Sequence, residues 1–67
     1  MSVNIDSVKL RSEMFVRRCT QKELAERAQL SRPVLSSICN GKSCRKETAQ
    51  KIADALCVPL ESITIAN

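Results

Sequence analysis

Apolar side chains recur along the 67 residues at three- and four-residue intervals, in about five short runs set apart by two prolines, one glycine and several capping residues. None of these runs sustains a two-residue alternation, so helices are the expected elements. The first run extends from about Asp6, a candidate N-cap, to Arg17 or Arg18, with Leu10 and Met14 one turn apart and Val8 and Phe15 two turns apart. The second opens on Thr20-Gln21-Lys22-Glu23, a capping box in which the threonine hydroxyl and the glutamate carboxylate each satisfy a helix-end amide. Its apolar stripe is Leu24, Ala25 and Ala28, which leaves Lys22, Glu23, Glu26 and Arg27 to water. Small alanines on that stripe predict a closely crossing partner helix.

The third run starts after Leu30 with Ser31 as N-cap. It tolerates Pro33 because first-turn amides have no intrahelical partner, and it ends at Asn40-Gly41, where glycine suits a left-handed terminal residue. Leu35 and Ile38 point inward with Cys39 at the flank, while Arg32, Pro33, Ser36 and Ser37 face outward. A fourth run, about Arg45 to Leu56, buries Ala49, Ile52, Ala53 and Leu56, and Pro59 opens a last short turn from Leu60 to about Ile65. The alternations Val3, Ile5 and Ile63, Ile65 would suit two short paired strands, but the termini are expected to stay coil. The predicted architecture is all-α: a compact five-helix bundle forming one domain over residues 1–67.

Size narrows this further. A chain this short closes one small core, burying roughly 60% of the surface its unfolded form exposes. Aliphatic side chains must build that core, since Phe15 is the only aromatic residue. Eleven Lys and Arg against seven Asp and Glu give a formal charge of +4, which favours an acidic partner without choosing between nucleic acid and an anionic membrane. No apolar run approaches the roughly 18 residues of a membrane span, and the opening MSVNIDSVKL has neither a basic start nor an apolar signal core. A cytoplasmic chain with no membrane partner is expected.

In that compartment Cys19, Cys39, Cys44 and Cys57 are expected as free thiols. They contain no C-x-x-C pair and there is no histidine to complete a metal site, so neither metal nor other cofactor is expected. Cys44, beside Arg45 and Lys46, is the one thiol whose pKa neighbouring cations would lower. The absence of histidine, of a glycine-rich loop and of a paired-carboxylate cleft argues against a hydrolytic enzyme.

Two short helices joined by about three residues, the second outward-polar, have the geometry that lays one helix across a DNA backbone and the next into the major groove. Several features stand in order over about residues 20–41 and beyond. Gln21 opens the first motif helix, Leu24-Ala25 follows, Leu30 fills the turn, Ser31 caps the second helix and Leu35 and Ile38 line it. Asn40-Gly41-Lys42 comes next, then Ile52-Ala53-x-x-Leu56-x-Val58 and Leu60-Glu61-x-Ile63. Together they resemble the phage-repressor-like helix-turn-helix family, also called XRE or Cro-like, whose fold is the lambda-repressor-like DNA-binding domain.

The resemblance covers about residues 8 to 65. It implies that Gln21 bonds a phosphate and braces the recognition helix, that Arg32, Pro33 and Ser37 approach base edges, and that Asn40, Lys42 and Arg45 hold the backbone. The residue chemistry agrees. Amides at the starts of the second and third segments, with Lys42, Arg45 and Lys46 unbroken by any acid until Glu47, make an anion-attracting face. Arg32 suits either a bidentate guanine contact, worth roughly 1 to 3 kcal/mol of discrimination, or a phosphate contact that reads no sequence. Pro33 and Val34 can offer only apolar contact to a thymine methyl, and Ser36 and Ser37 are short and weakly selective.

The chain departs from the family pattern at Gln29 and Cys57, where glycine is usual; a left-handed non-glycine residue costs roughly 1 to 2 kcal/mol. Where the family often pairs an arginine of its first helix with a glutamate ending the recognition helix, this chain has Met14 and Cys39, expected to touch as an apolar pair. Leu60, Ile63 and Ile65 form either a lid on the core or a dimer face. The dimer is preferred, because one domain offers one short half-site, and two recognition helices about 34 to 36 Å apart would read a near-palindrome. The expected function is a homodimeric repressor of the kind common in phages and other mobile elements, bacterial or phage-encoded, with double-stranded DNA as partner and no small-molecule ligand. The competing expectation is a protein-interaction module, an adaptor or antitoxin, docking a protein on the third segment.

Overall fold

The computed structural model describes residues 2–65. Strand β1 is Ser2–Val3; helices α1 (Ser7–Val16), α2 (Gln21–Ala28) and α3 (Arg32–Cys39) follow; β2 is Cys44–Arg45; α4 is Lys46–Leu56; and Leu60–Ser62 form a single 3-10 turn. Among the described residues the expected five-helix bundle is therefore four helices and a small antiparallel sheet, in which Ser2 faces Arg45 and Val3 faces Cys44. A fifth helix fails because its amides bond three residues back, Ser62 to the Pro59 carbonyl at 2.9 Å and Ile63 to that of Leu60 at 3.1 Å. The next residue, Thr64, is already paired with Ile5.

That pairing corrects the expectation of coil at the termini. The Asp6 amide donates to the Ile63 carbonyl at 2.8 Å and the Ile65 amide to that of Asn4 at 3.0 Å, so the two ends zip together over a few residues. Ile5 and Ile63 are buried beneath the zipper.

Helix starts follow their capping residues. Asp6 accepts from the amides of Val8 (3.0 Å) and Lys9 (3.1 Å). In the capping box the Glu23 amide donates to the Thr20 hydroxyl at 3.2 Å while the Thr20 amide donates to the Glu23 carboxylate at 3.1 Å. Those bonds hold the Glu23 carboxyl below its ordinary pKa, the backbone bond contributing most. Ser31 accepts from the Val34 amide at 3.4 Å, whereas α4 starts without a side-chain cap.

Every helix ends the same way: the residue after a left-handed position donates its amide five residues back, the Schellman closure. These bonds are Cys19 to Met14 (2.9 Å), Leu30 to Ala25 (2.8 Å), Lys42 to Ser37 (3.1 Å) and Val58 to Ala53 (3.0 Å). The left-handed residues are Arg18, Gln29, Gly41 and Cys57, with φ of 52°, 58°, 100° and 58°. Nothing lies within 4 Å of a Cβ built on Gly41, so backbone conformation alone calls for glycine there. At the other three ends the next residue, Cys19, Leu30 or Val58, is apolar and packs into or against the core, which offsets the strain.

Leu10 and Met14 of α1, Leu24, Ala25 and Ala28 of α2, Leu35, Ile38 and Cys39 of α3, and Ala49, Ile52, Ala53 and Leu56 of α4 share one buried cluster. The alanines let α2 pack on α4. Val8 and Phe15 do not join them: they are 71% and 83% exposed, as Val16 is at 75%. Core-facing positions on α1 are set by Leu10 and Met14, and the opposite side of the helix meets water.

Candidate nucleic-acid interface

Helices α2 and α3 are joined by Gln29, Leu30 and Ser31. Gln29 turns the chain through its left-handed conformation and Leu30 pins the turn against the core, so α3 is delivered with its N-terminus exposed. Leu35, Ile38 and Cys39 anchor α3 below, which orients Arg32, Pro33 and Val34 to solvent and leaves Ser36 and Ser37 half-buried. Gln21, the first residue of α2, is half-buried too. At the other end of α3 the exposed Asn40, Gly41 and Lys42 lead into β2, whose exposed Arg45 immediately precedes α4.

Charge is segregated. Of the 11 cations, Arg32, Lys42, Arg45 and Lys46 lie between residues 32 and 46, a stretch with no acid at all. The remaining seven cations balance the seven acids, so the formal charge of +4 belongs to this one segment. An acid-free run that starts at an exposed helix N-terminus is suited to polyanionic backbone. Counting charge by segment would have found it in the sequence.

One contact has no sequence signal. The Arg11 guanidinium donates to the Cys39 carbonyl at 3.3 Å, tying α1 to the last turn of α3. Met14 and Cys39 are both buried in the one core cluster, and α1 packs on α3. Burial pushes the Cys39 thiol upward in pKa, against a weaker pull from Arg11.

Two expectations need correcting. Cys44 is half-buried in β2, and desolvation raises its pKa against a smaller lowering by a backbone hydrogen bond from Ala49; Arg45 and Lys46 do not activate it. Ile63, expected on a dimer face, is fully buried in the core, with Leu60 half-buried over it and only Ile65 substantially exposed, at 50%. All four cysteines are free. Among the described residues, no helix is long and apolar enough to cross a membrane.

A family model described as helix-turn-helix, HTH_3, matches residues 17–63, most of the chain. The chain belongs to the XRE/Cro-like helix-turn-helix family. Its members are DNA-binding transcription regulators, and in this one α2 and α3 are the helix-turn-helix pair. The family match begins at Arg17, after the end of α1 at Val16, so the exposed apolar residues of α1 fall outside it. No curated protein and no solved structure matches the chain.

Proposed function

We propose that this XRE/Cro-like domain is a sequence-specific repressor that binds double-stranded DNA as a homodimer and reads a near-palindromic operator through α3. The observation that carries this reading is the placement of the whole formal charge between residues 32 and 46, around the exposed start and end of α3. Gln21, Asn40, Lys42 and Arg45 engage phosphates and set the register; Arg32 reaches a guanine edge; Pro33 contacts a thymine methyl; Ser36 and Ser37 lie against the groove. The dimer forms through the exposed Ile65 and the half-exposed Leu60. The domain measures 28 × 22 × 19 Å between Cα atoms, so two copies can lie side by side with recognition helices one helical turn, about 34 Å, apart. A dimer seated across a promoter represses by occlusion.

The test is selection from pooled random duplexes, followed by anisotropy titration at 50 and 200 mM salt. A near-palindrome should emerge, and affinity should fall roughly 100-fold or more between the two salts. Arg32→Ala should relax preference at one base position per half-site by about 1 to 3 kcal/mol. No enrichment, with a flat salt response, would overturn the reading and favour protein docking on α3.

A further inference from the structure

Helix α1 is apolar on two opposite sides. Leu10 and Met14 enter the core, while Val8, Ser12, Phe15 and Val16, spaced i, i+4, i+7 and i+8, form a second stripe in water. The only aromatic residue of the chain crowns that stripe at 83% exposure. Shallow clefts flank it, one reaching Val8 and Arg11, the other Arg18 and Thr20. A helix apolar on both sides is ordinarily covered on both.

Charge and size decide what covers it. Lys9 and Arg11 flank the stripe, Arg11 keeping its charge while one of its N–H groups holds the Cys39 carbonyl, and Arg18 lies beyond its end, while Glu13, the one acid between Ser7 and Arg18, is already paired with Arg17 one turn on. A second copy seated here would set these cations against their own kind. The apolar patch is on the order of a few hundred Å², about what one face of a short helix covers. A single amphipathic helix suits that area, and carboxylates beside its apolar anchors would meet the cations.

We propose that the outer face of α1 is a docking site for an acidic amphipathic helix of a partner protein, which seats apolar anchors on Val8, Phe15 and Val16 and sets carboxylates against Lys9, Arg11 and Arg18. This goes beyond DNA binding and does not depend on it. Acidic flanks supply orientation and on-rate, and Phe15 supplies the central anchor.

The experiment titrates the full chain against a fluorescent 18-residue designed peptide with leucines at i, i+3, i+4 and i+7 and glutamates beside them. Two controls accompany it: the same peptide with lysines for glutamates, and a scrambled peptide of identical composition. The glutamate peptide should bind at least tenfold more tightly than either control, with amide shifts concentrated in residues 7–18. The double variant Phe15→Ser, Val16→Ser should lose at least tenfold in peptide affinity while keeping its thermal midpoint and its DNA affinity. Equal binding of the scrambled peptide, or unchanged binding by the variant, would overturn the proposal. So would a concentration-dependent dimer abolished by the same variant, which would assign the face to a second copy. Phe15-dependent binding to phosphatidylserine vesicles without peptide binding would assign it to a membrane and overturn it equally.

Discussion

Leu35→Ala is expected to cost about 2 to 5 kcal/mol of stability, a large share of what a domain of this length possesses. Leu35 is fully buried on the inner face of α3, beneath the exposed Arg32, Pro33 and Val34. Its loss leaves a cavity that the surrounding aliphatic chains fill only in part. The neighbouring Val34 is 45% exposed on the same helix, so Val34→Ala should shift stability by no more than about 0.5 kcal/mol. Urea unfolding followed by helical circular dichroism at 25 °C separates the two. Similar midpoints for both variants would mean that α3 is not anchored through Leu35. Because the mutation also empties the support under α3, DNA affinity of Leu35→Ala should fall in proportion to its unfolded fraction.

The opposite sign is expected from relieving the helix ends. Arg18, Gln29 and Cys57 close three helices in left-handed conformation, which costs a non-glycine residue roughly 1 to 2 kcal/mol each. Glycine removes that strain but gives about 0.5 to 1 kcal/mol back to the looser unfolded chain. About 1 kcal/mol per site should remain, or 4 to 8 °C in thermal midpoint for a domain of this size. The three sites belong to different helix ends, so Arg18→Gly, Gln29→Gly and Cys57→Gly should add to about 3 kcal/mol. Gly41→Ala is the mirror experiment, since it forces a Cβ into the same backbone region and should destabilise by about 1 kcal/mol. A triple variant that melts no higher than the parent would sink the strain account.

Much of the fold was legible in the sequence because its signals are local. Asp6, Thr20, Glu23, Ser31 and Gly41 act on amides or carbonyls within a few residues, and each marks the helix end it was expected to mark. The stripes of α2, α3 and α4 have one apolar face each, which leaves no choice of what is buried. Helix α1 has two, and the sequence alone could not rank Val8 and Phe15 below Leu10 and Met14; packing against α3 settles it. The two-residue strands are too short to carry a pattern, and their partners lie some forty residues away in the chain. Apolar alternation at Ile63 and Ile65 likewise said that both are apolar, not that Ile63 would go inward. Arg18 has a side chain with no preference for the left-handed region, and Arg11 bonds a main-chain carbonyl, an acceptor every residue carries.

In the candidate interface, residue types and order were legible, and so was the family. The segment from 32 to 46 could have been singled out by charge alone. Burial was not legible there: Ser36 and Ser37 sit lower against the domain than Arg32 and Pro33, so any groove contact they make is confined to close approach.

The bonds joining Asn4 to Ile65 and Asp6 to Ile63 make the described chain a nearly closed ring, with almost its full length between the two sides of the seam. Loop-closure entropy makes such contacts the most expensive to form early, so the seam should be made last, after the helices have collapsed on one another. What forms last is commonly what opens first. Brief parting of the seam would bare Ile5 and Ile63 while the helix-turn-helix stays intact, giving the amides of Asp6 and Ile65 faster hydrogen exchange than the core helices. The helix-turn-helix thus belongs to a more persistent unit than the seam that frames it.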